Sequence, residues 1–89
     1  MNPKFPLGQI VATPNALDTL TPEDIRNGIQ KHQTGNWGEM CDSDRQENEE
    51  SLKNGFRLLS VYRATNGKLF WIITEANRNA TTVLMPEDY

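Results

Sequence analysis

The chain holds one histidine, His32, and one cysteine, Cys41. Neither stands beside the groups that would make it a catalyst. A histidine base needs a nucleophile or an orienting carboxylate next to it, and local spacing gives His32 neither. Near the end of a helix it reads instead as a dipole-favoured or capping residue. Cys41 lies among Glu39, Asp42 and Asp44, whose charges suppress the nucleophilic thiolate, although its place just before a helix pulls the other way. An inert thiol is expected. One cysteine and one histidine do not make a zinc site of the usual composition, and no metal or cofactor is expected.

Two charged constellations remain. Glu39, Asp42, Asp44, Glu47, Glu49 and Glu50 fall within twelve residues. A calcium loop needs oxygens at alternating positions and a glycine at the turn. Asp42-Ser43-Asp44-Arg45-Gln46 begins like one but lacks the glycine and contains Arg45. The acids read either as a solvated helix face near the positive end of the helix dipole or as an imitation of a phosphate track, presented to a partner's nucleic-acid groove. Trp37, between Gly35-Asn36 and Gly38, is either a lid over the core or an exposed anchor, since tryptophan is enriched at binding hot spots. The candidate partner-binding set is Trp37, Glu39, Asp42, Asp44, Glu47 and Glu50. The second constellation, Arg57, Arg63, Lys68, Arg78 and Tyr89 with Tyr62, is the one that could act on RNA; otherwise it is strand-end charge on a solvated sheet face.

The elements that must position these residues are legible in part. Residues 1–8, with two prolines and a glycine, read as an extended arm carrying Phe5 and Leu7 as anchors. Residues 9–13 are a short strand. Thr13-Pro14 starts a helix of a turn or two with Ala16, Leu17 and Leu20 inward, and Thr21-Pro22-Glu23-Asp24 starts another over 22–33. A third helix spans about 43–54, capped by Asp42 or Ser43 and closed by Asn54-Gly55. Leu52 is its only large apolar residue, so Met40, Cys41 and Phe56 at its ends must supply apolar contact, and such a helix is solvated, marginal or a docking surface. Strands follow at 57–64, 68–75 and 81–85. Asn66-Gly67 between apolar runs signals a type I′ hairpin. Leu69-Phe70-Trp71-Ile72-Ile73 is apolar enough to be a central strand buried on both faces. The expected fold is α+β, β-α-α-β-β-β, a small and mainly antiparallel sheet packed by two or three helices in one domain of 89 residues.

Composition narrows the function. A net charge of −3 disfavours direct nucleic-acid binding, which needs positive surface against phosphates. Residues 1–50 carry nine acids against four bases, and residues 51–89 five bases against three acids, so an acidic helical half meets a mildly basic sheet half. The single cysteine fits a reducing compartment. No apolar run approaches the length of a membrane span and no secretory signal is evident, so a cytoplasmic location is expected.

Several phrases carry a resemblance: Leu7-Gly-Gln-Ile-Val-Ala-Thr-Pro-Asn-Ala-Leu17, Gly35-Asn-Trp-Gly38, Arg57-Leu-Leu-Ser-Val-Tyr62, and the closing run from Trp71 to Tyr89. Together they resemble a family of small uncharacterised bacterial proteins carried on plasmids, prophages and other mobile elements. Asn77 and Asn79 depart from the Asp and Ser usual there. The resemblance implies a genetic setting and no catalytic residues. It favours a non-catalytic protein-interaction module, acting on a host defence or nucleic-acid-processing complex. The order of elements also resembles RelE-type ribonuclease toxins, a likeness of topology alone, which would assign cleavage to Arg57, Arg63, Lys68, Arg78 and Tyr89. A third expectation is a homodimer joined by the edge of the last strand, which is β-rich and unguarded before Pro86.

Overall fold

The computed structural model describes residues 2–89. Strand β1 (Gln9–Ala12) leads into helices α1 (Pro14–Thr19), α2 (Pro22–Gln33) and α3 (Asp42–Asn54). Strands β2 (Leu58–Arg63), β3 (Leu69–Thr74) and β4 (Ala80–Leu84) follow, then a 3-10 turn over Pro86–Asp88. The four strands form one sheet in the order β1-β4-β3-β2, with β1 parallel to β4 and the other pairs antiparallel. The fold is α+β.

Helix α2 begins at a reciprocal capping box. The Thr21 hydroxyl accepts from the Asp24 N–H at 3.0 Å, and the Asp24 carboxylate accepts from the Thr21 N–H at 3.3 Å, which satisfies two N–H groups that helix geometry leaves unpaired. Pro22 fills the first turn, where its missing donor costs nothing. Burial tends to raise the Asp24 carboxyl, but hydrogen bonds from Thr21 and Thr65 outweigh it and hold the group below its ordinary value. Those bonds also tie the start of α2 to the β2–β3 loop. Gly28 lets α2 lie close on the sheet: a Cβ there would stand 2.9 Å from a Phe70 ring carbon. Ala16, Leu20, Tyr62, Phe70, Ile72, Val83 and Met85 form the main core on this face, with Ile25 and Ile29 packed against it. A second cluster joins Phe5, Trp37 and Leu58, flanked by Leu7, Met40 and Leu52.

β3 is internal, as its apolar run requires, but it is not buried throughout. Trp71 is half-buried on the face away from α1 and α2, against Tyr89 at 5.5 Å between ring centroids. β4 is not the open edge; it takes β3 on one side and β1 on the other, because the uncharged β1 pairs in register from Gln9↔Ala80 to Ala12↔Val83. The β2–β3 loop is closed by Ala64 N–H to Lys68 C=O and Gly67 N–H to Ala64 C=O. Gly67 has φ 87° and Asn66 is not among the positive-φ residues. This is a type I turn with a G1 bulge in place of the type I′ turn. Asn66 instead uses its side chain, accepting from Lys68 N–H and donating to Thr19 C=O.

Three further expectations are corrected. Leu17 is 60% exposed, because a helix of six residues turns only Ala16 inward and leaves Leu20 to close it. α3 starts one residue early, so Cys41 occupies its N-cap without a side-chain hydrogen bond to the helix. Phe56 is exposed and Cys41 is exposed, so neither anchors α3. No helix among the described residues is long and apolar enough to cross a membrane.

Candidate functional site

His32 sits in the last turn of α2, but its ring turns inward and is fully buried. Nδ1 lies 2.5 Å from Ser60 Oγ, and Nε2 lies 2.8 Å from Thr74 Oγ1. Thr74 Oγ1 meets Thr81 Oγ1 at 2.8 Å, and Thr81 donates to the Leu7 carbonyl at 2.7 Å. The direction of each proton follows from the last acceptor. A carbonyl only accepts, so the Thr81 hydroxyl donates to it. Thr74 must then donate to Thr81 and accept from His32 Nε2–H, and Ser60 donates to Nδ1. The chain fixes a proton on Nε2, and burial keeps the ring neutral, so that Nδ1 is the acceptor. Burial, aided by the charge of Arg78, pushes His32 down to about 4. Phe5 meets the ring edge-on at 5.2 Å and Trp37 at 5.8 Å, so the N-terminal arm and Trp37 seal the chain of hydroxyls from water. A buried ring with both nitrogens engaged is not a dipole-favoured cap, and nothing is left on it to take a substrate proton.

Trp37 is 4% exposed and its indole N–H donates to Glu49 at 2.7 Å. It is a lid, and its ring is not offered to a partner. Burial pushes the Tyr62 phenol above its ordinary value, and its hydroxyl donates to the Asn36 carbonyl, fixing the loop that carries Trp37.

The β2 edge is closed by side chain and backbone together. Buried Asn48 of α3 donates to Leu59 C=O at 2.6 Å and accepts from Leu59 N–H at 3.1 Å. Val61 is bonded on the same edge by Trp37 C=O and Glu39 N–H. Gly38 must be glycine there, since a Cβ would fall 1.9 Å from Val61 O at φ 84°. Helix α3 is thus held mainly by polar bonds, from Asn48 to Leu59, Trp37 to Glu49 and Arg78 to Ser51, with Leu52 as its one large apolar contact rather than an apolar stripe. Asp42, Asp44, Glu47 and Glu50 are exposed, and among the described residues they make no ion pair; the one salt bridge is between Glu39 and Arg63. Asp44 and Glu47 also line a cleft of about 230 Å³ together with Met40, Leu59 and Arg57.

The basic set splits between the two ends of β2, with Arg63 and Lys68 at one and Arg57, Arg78 and Tyr89 at the other. Arg63 chelates Glu39 through two bonds of 3.0 Å and donates to Gly67 C=O; the Arg63 bond holds the Glu39 carboxyl below its ordinary value. Lys68 lies in the same turn, exposed. Arg57 stands over the Tyr89 ring at 5.5 Å, just before the other end of β2 and about 20 Å from Arg63 along the strand. Arg78 is spent on backbone carbonyls: those of Phe56 at 2.7 Å, Glu75 at 3.0 Å and Ser51 at 3.3 Å. It also has φ 61°, the only positive φ outside glycine among the described residues. A bulky residue accepts a left-handed conformation at a cost of about 1 kcal/mol because its guanidinium pins the end of α3 to the β3–β4 loop. Arg78→Gly is therefore expected to be less damaging than Arg78→Ala by about 1 kcal/mol, measured by urea unfolding; equal loss would show that the strain is absent.

Sequence reasoning missed Asn48, Ser60, Thr74 and Thr81. No group of three or more metal-ligating side chains gathers among the described residues. No protein-family model, curated protein or solved structure matches this chain.

Proposed function

We propose that this chain is a non-catalytic protein-interaction module of a mobile genetic element, and that it modulates a host nucleic-acid-processing complex through the acidic face of α3. One observation carries the reading: α3 is fixed from within by Asn48 while Asp42, Asp44, Glu47 and Glu50 stand exposed and without cationic partners among the described residues. These acids span about 12 Å of helix, a length suited to a basic groove. A helix this polar gains little from burial, so its acids are accounted for by what they meet outside the domain. The mobile-element setting rests on the resemblance of the quoted phrases. The dispersal of Arg57, Arg63, Lys68 and Arg78, and the full engagement of His32, weigh against the ribonuclease reading.

Affinity capture from host lysate at low salt is expected to retain a basic partner protein. Neutralising the four acids together (Asp42→Asn, Asp44→Asn, Glu47→Gln and Glu50→Gln) should release it, as should about 1 M salt, where screening acts within about 3 Å. Retention unchanged by the four substitutions would refute α3 as the docking face. RNA cleavage by the pure chain, lost in Arg63→Ala, would refute the non-catalytic reading.

A further inference from the structure

The two edges of the sheet are treated in opposite ways. At β2 each outward backbone group of Leu59 and Val61 has a partner. At β1 the inner edge is bonded by Gln9 N–H to Asn79 C=O and Thr13 N–H to Val83 C=O, so alternation turns the N–H and C=O of Ile10 and Ala12 outward. Nothing among the described residues pairs with them. Gln9–Ala12 contains no lysine, proline, charge or bulge, the devices that guard natural edges. The same unit concentrates exposed apolar surface: Ile10 at 49%, Val11 at 40% and Leu17 at 60%, three of the five exposed large hydrophobic residues.

We infer that β1 is the interface of a two-fold symmetric homodimer, in which two copies pair antiparallel about Val11 and the sheet runs on to eight strands. The outward groups are symmetric about Val11. Setting Ile10 of one copy opposite Ala12 of the other therefore forms four N–H···O=C bonds and leaves no edge group unpaired. Val11 then faces Val11 as a non-hydrogen-bonded pair, and no charge is opposed to another. That self-complementarity is what a two-fold interface requires, and an uncharged strand exposing Ile10 and Val11 meets an identical one with apolar groups opposed and no charge desolvated, which argues for a second copy as the occupant. The dimer differs from the expectation read off the sequence, since β4 is internal and cannot supply the edge. It also leaves α3 free at the opposite edge, so the assembly would present two acidic helices, with the gain in avidity that two linked sites bring.

Register-specific crosslinking tests this. Non-hydrogen-bonded antiparallel pairs place Cα atoms about 4.5 Å apart, within disulfide reach. In a Cys41→Ser background, which removes the exposed native thiol, Val11→Cys is expected to crosslink nearly completely under mild oxidation. Gln9→Cys, on the same strand but opposite Thr13, should stay largely uncrosslinked. Sedimentation equilibrium should show the wild-type mass rising from 10.1 kDa to twice that between about 1 μM and about 1 mM, while Val11→Lys, checked for an unchanged melting curve, stays at the lower value. A monomer at every concentration would overturn the inference and leave the edge to a foreign strand. So would equal crosslinking at positions 9 and 11, or a dimer that survives Val11→Lys; should Val11→Lys unfold, the crosslinking pattern decides.

Discussion

Acidification from pH 6.5 to about 4 is expected to remove about 3 kcal/mol of folding stability through His32 alone. In the unfolded chain the imidazole takes a proton near 6.5; in the folded chain burial, and then the charge of Arg78, hold it neutral down to about 4. Between those values the unfolded state binds one proton more than the native state, so stability falls as pH falls. The contribution is whole above 6.5 and nearly gone at 4. Arg78 is the charged group that opposes protonation, while Phe5, Trp37, Ser60 and Thr74 supply no carboxylate to favour it. A protonated ring would also carry a donor on Nδ1, forcing the Ser60 hydroxyl to reverse. The Asp24, Glu39 and Asp88 carboxyls are also held below their ordinary values of 3.8 to 4.5, so their stabilisation starts to fall at the acid end of this window and goes on falling below it, and the loss between about pH 6.5 and about pH 5.5 is the part that belongs to His32. Because the chain has one histidine, proton NMR of its ring reads the event directly. The signal should stay at its neutral position until unfolding begins, and nitrogen shifts should report a proton on Nε2. Ordinary titration near 6.5 in the folded protein, or urea stability flat from 6.5 to 4, would refute the buried chain.

The parts of the fold legible in the sequence were those with a local cause. Thr21-Pro22-Glu23-Asp24 specifies the start of α2 because cap, proline and acids act within one turn, and Gly55 ends α3 with φ 76° as an Asn-Gly stop suggests. The apolar run of β3 announces an internal strand. What was hidden depends on register between distant segments. Ser60, Thr74 and Thr81 each look like ordinary strand residues. Only once Leu58↔Thr74 and Thr74↔Thr81 are paired does it emerge that three hydroxyls occupy adjacent inward positions beneath one histidine. The place of β1 was hidden for the same reason: four residues carry no mark of the strand they will join. Arg78 misled because an arginine near a strand end resembles surface charge, whereas here it replaces the glycine of a turn and binds carbonyls on three segments. Apart from Glu49, which accepts from the Trp37 indole, the acids of α3 remained outside the core, since neither helix periodicity nor packing gives them work inside the domain.

Asn48→Ala is expected to cost about 2–4 kcal/mol, because it strands two groups at once. The Leu59 N–H and C=O lose the only partners they have on that edge, and each is shielded from full solvation by α3 itself. Asn48→Asp should fare no better: one oxygen still accepts from Leu59 N–H, but the other meets the Leu59 carbonyl, acceptor against acceptor, beneath a helix already carrying five acids. The damage should be local first. α3 buries only Asn48 and Ser51, so with the amide gone its amides should exchange rapidly while those of β3 and β4 keep most of their protection. That pattern links the helix to the proposed role, since a loosened α3 no longer holds Asp44 and Glu47 in fixed geometry, and capture of the basic partner should weaken even though no acid has been touched. Hydrogen exchange on Asn48→Ala decides the matter. Unchanged protection in α3 would mean that the helix is held by its apolar neighbours, Leu52 and Met40, and that the edge of β2 needs no side chain to close it.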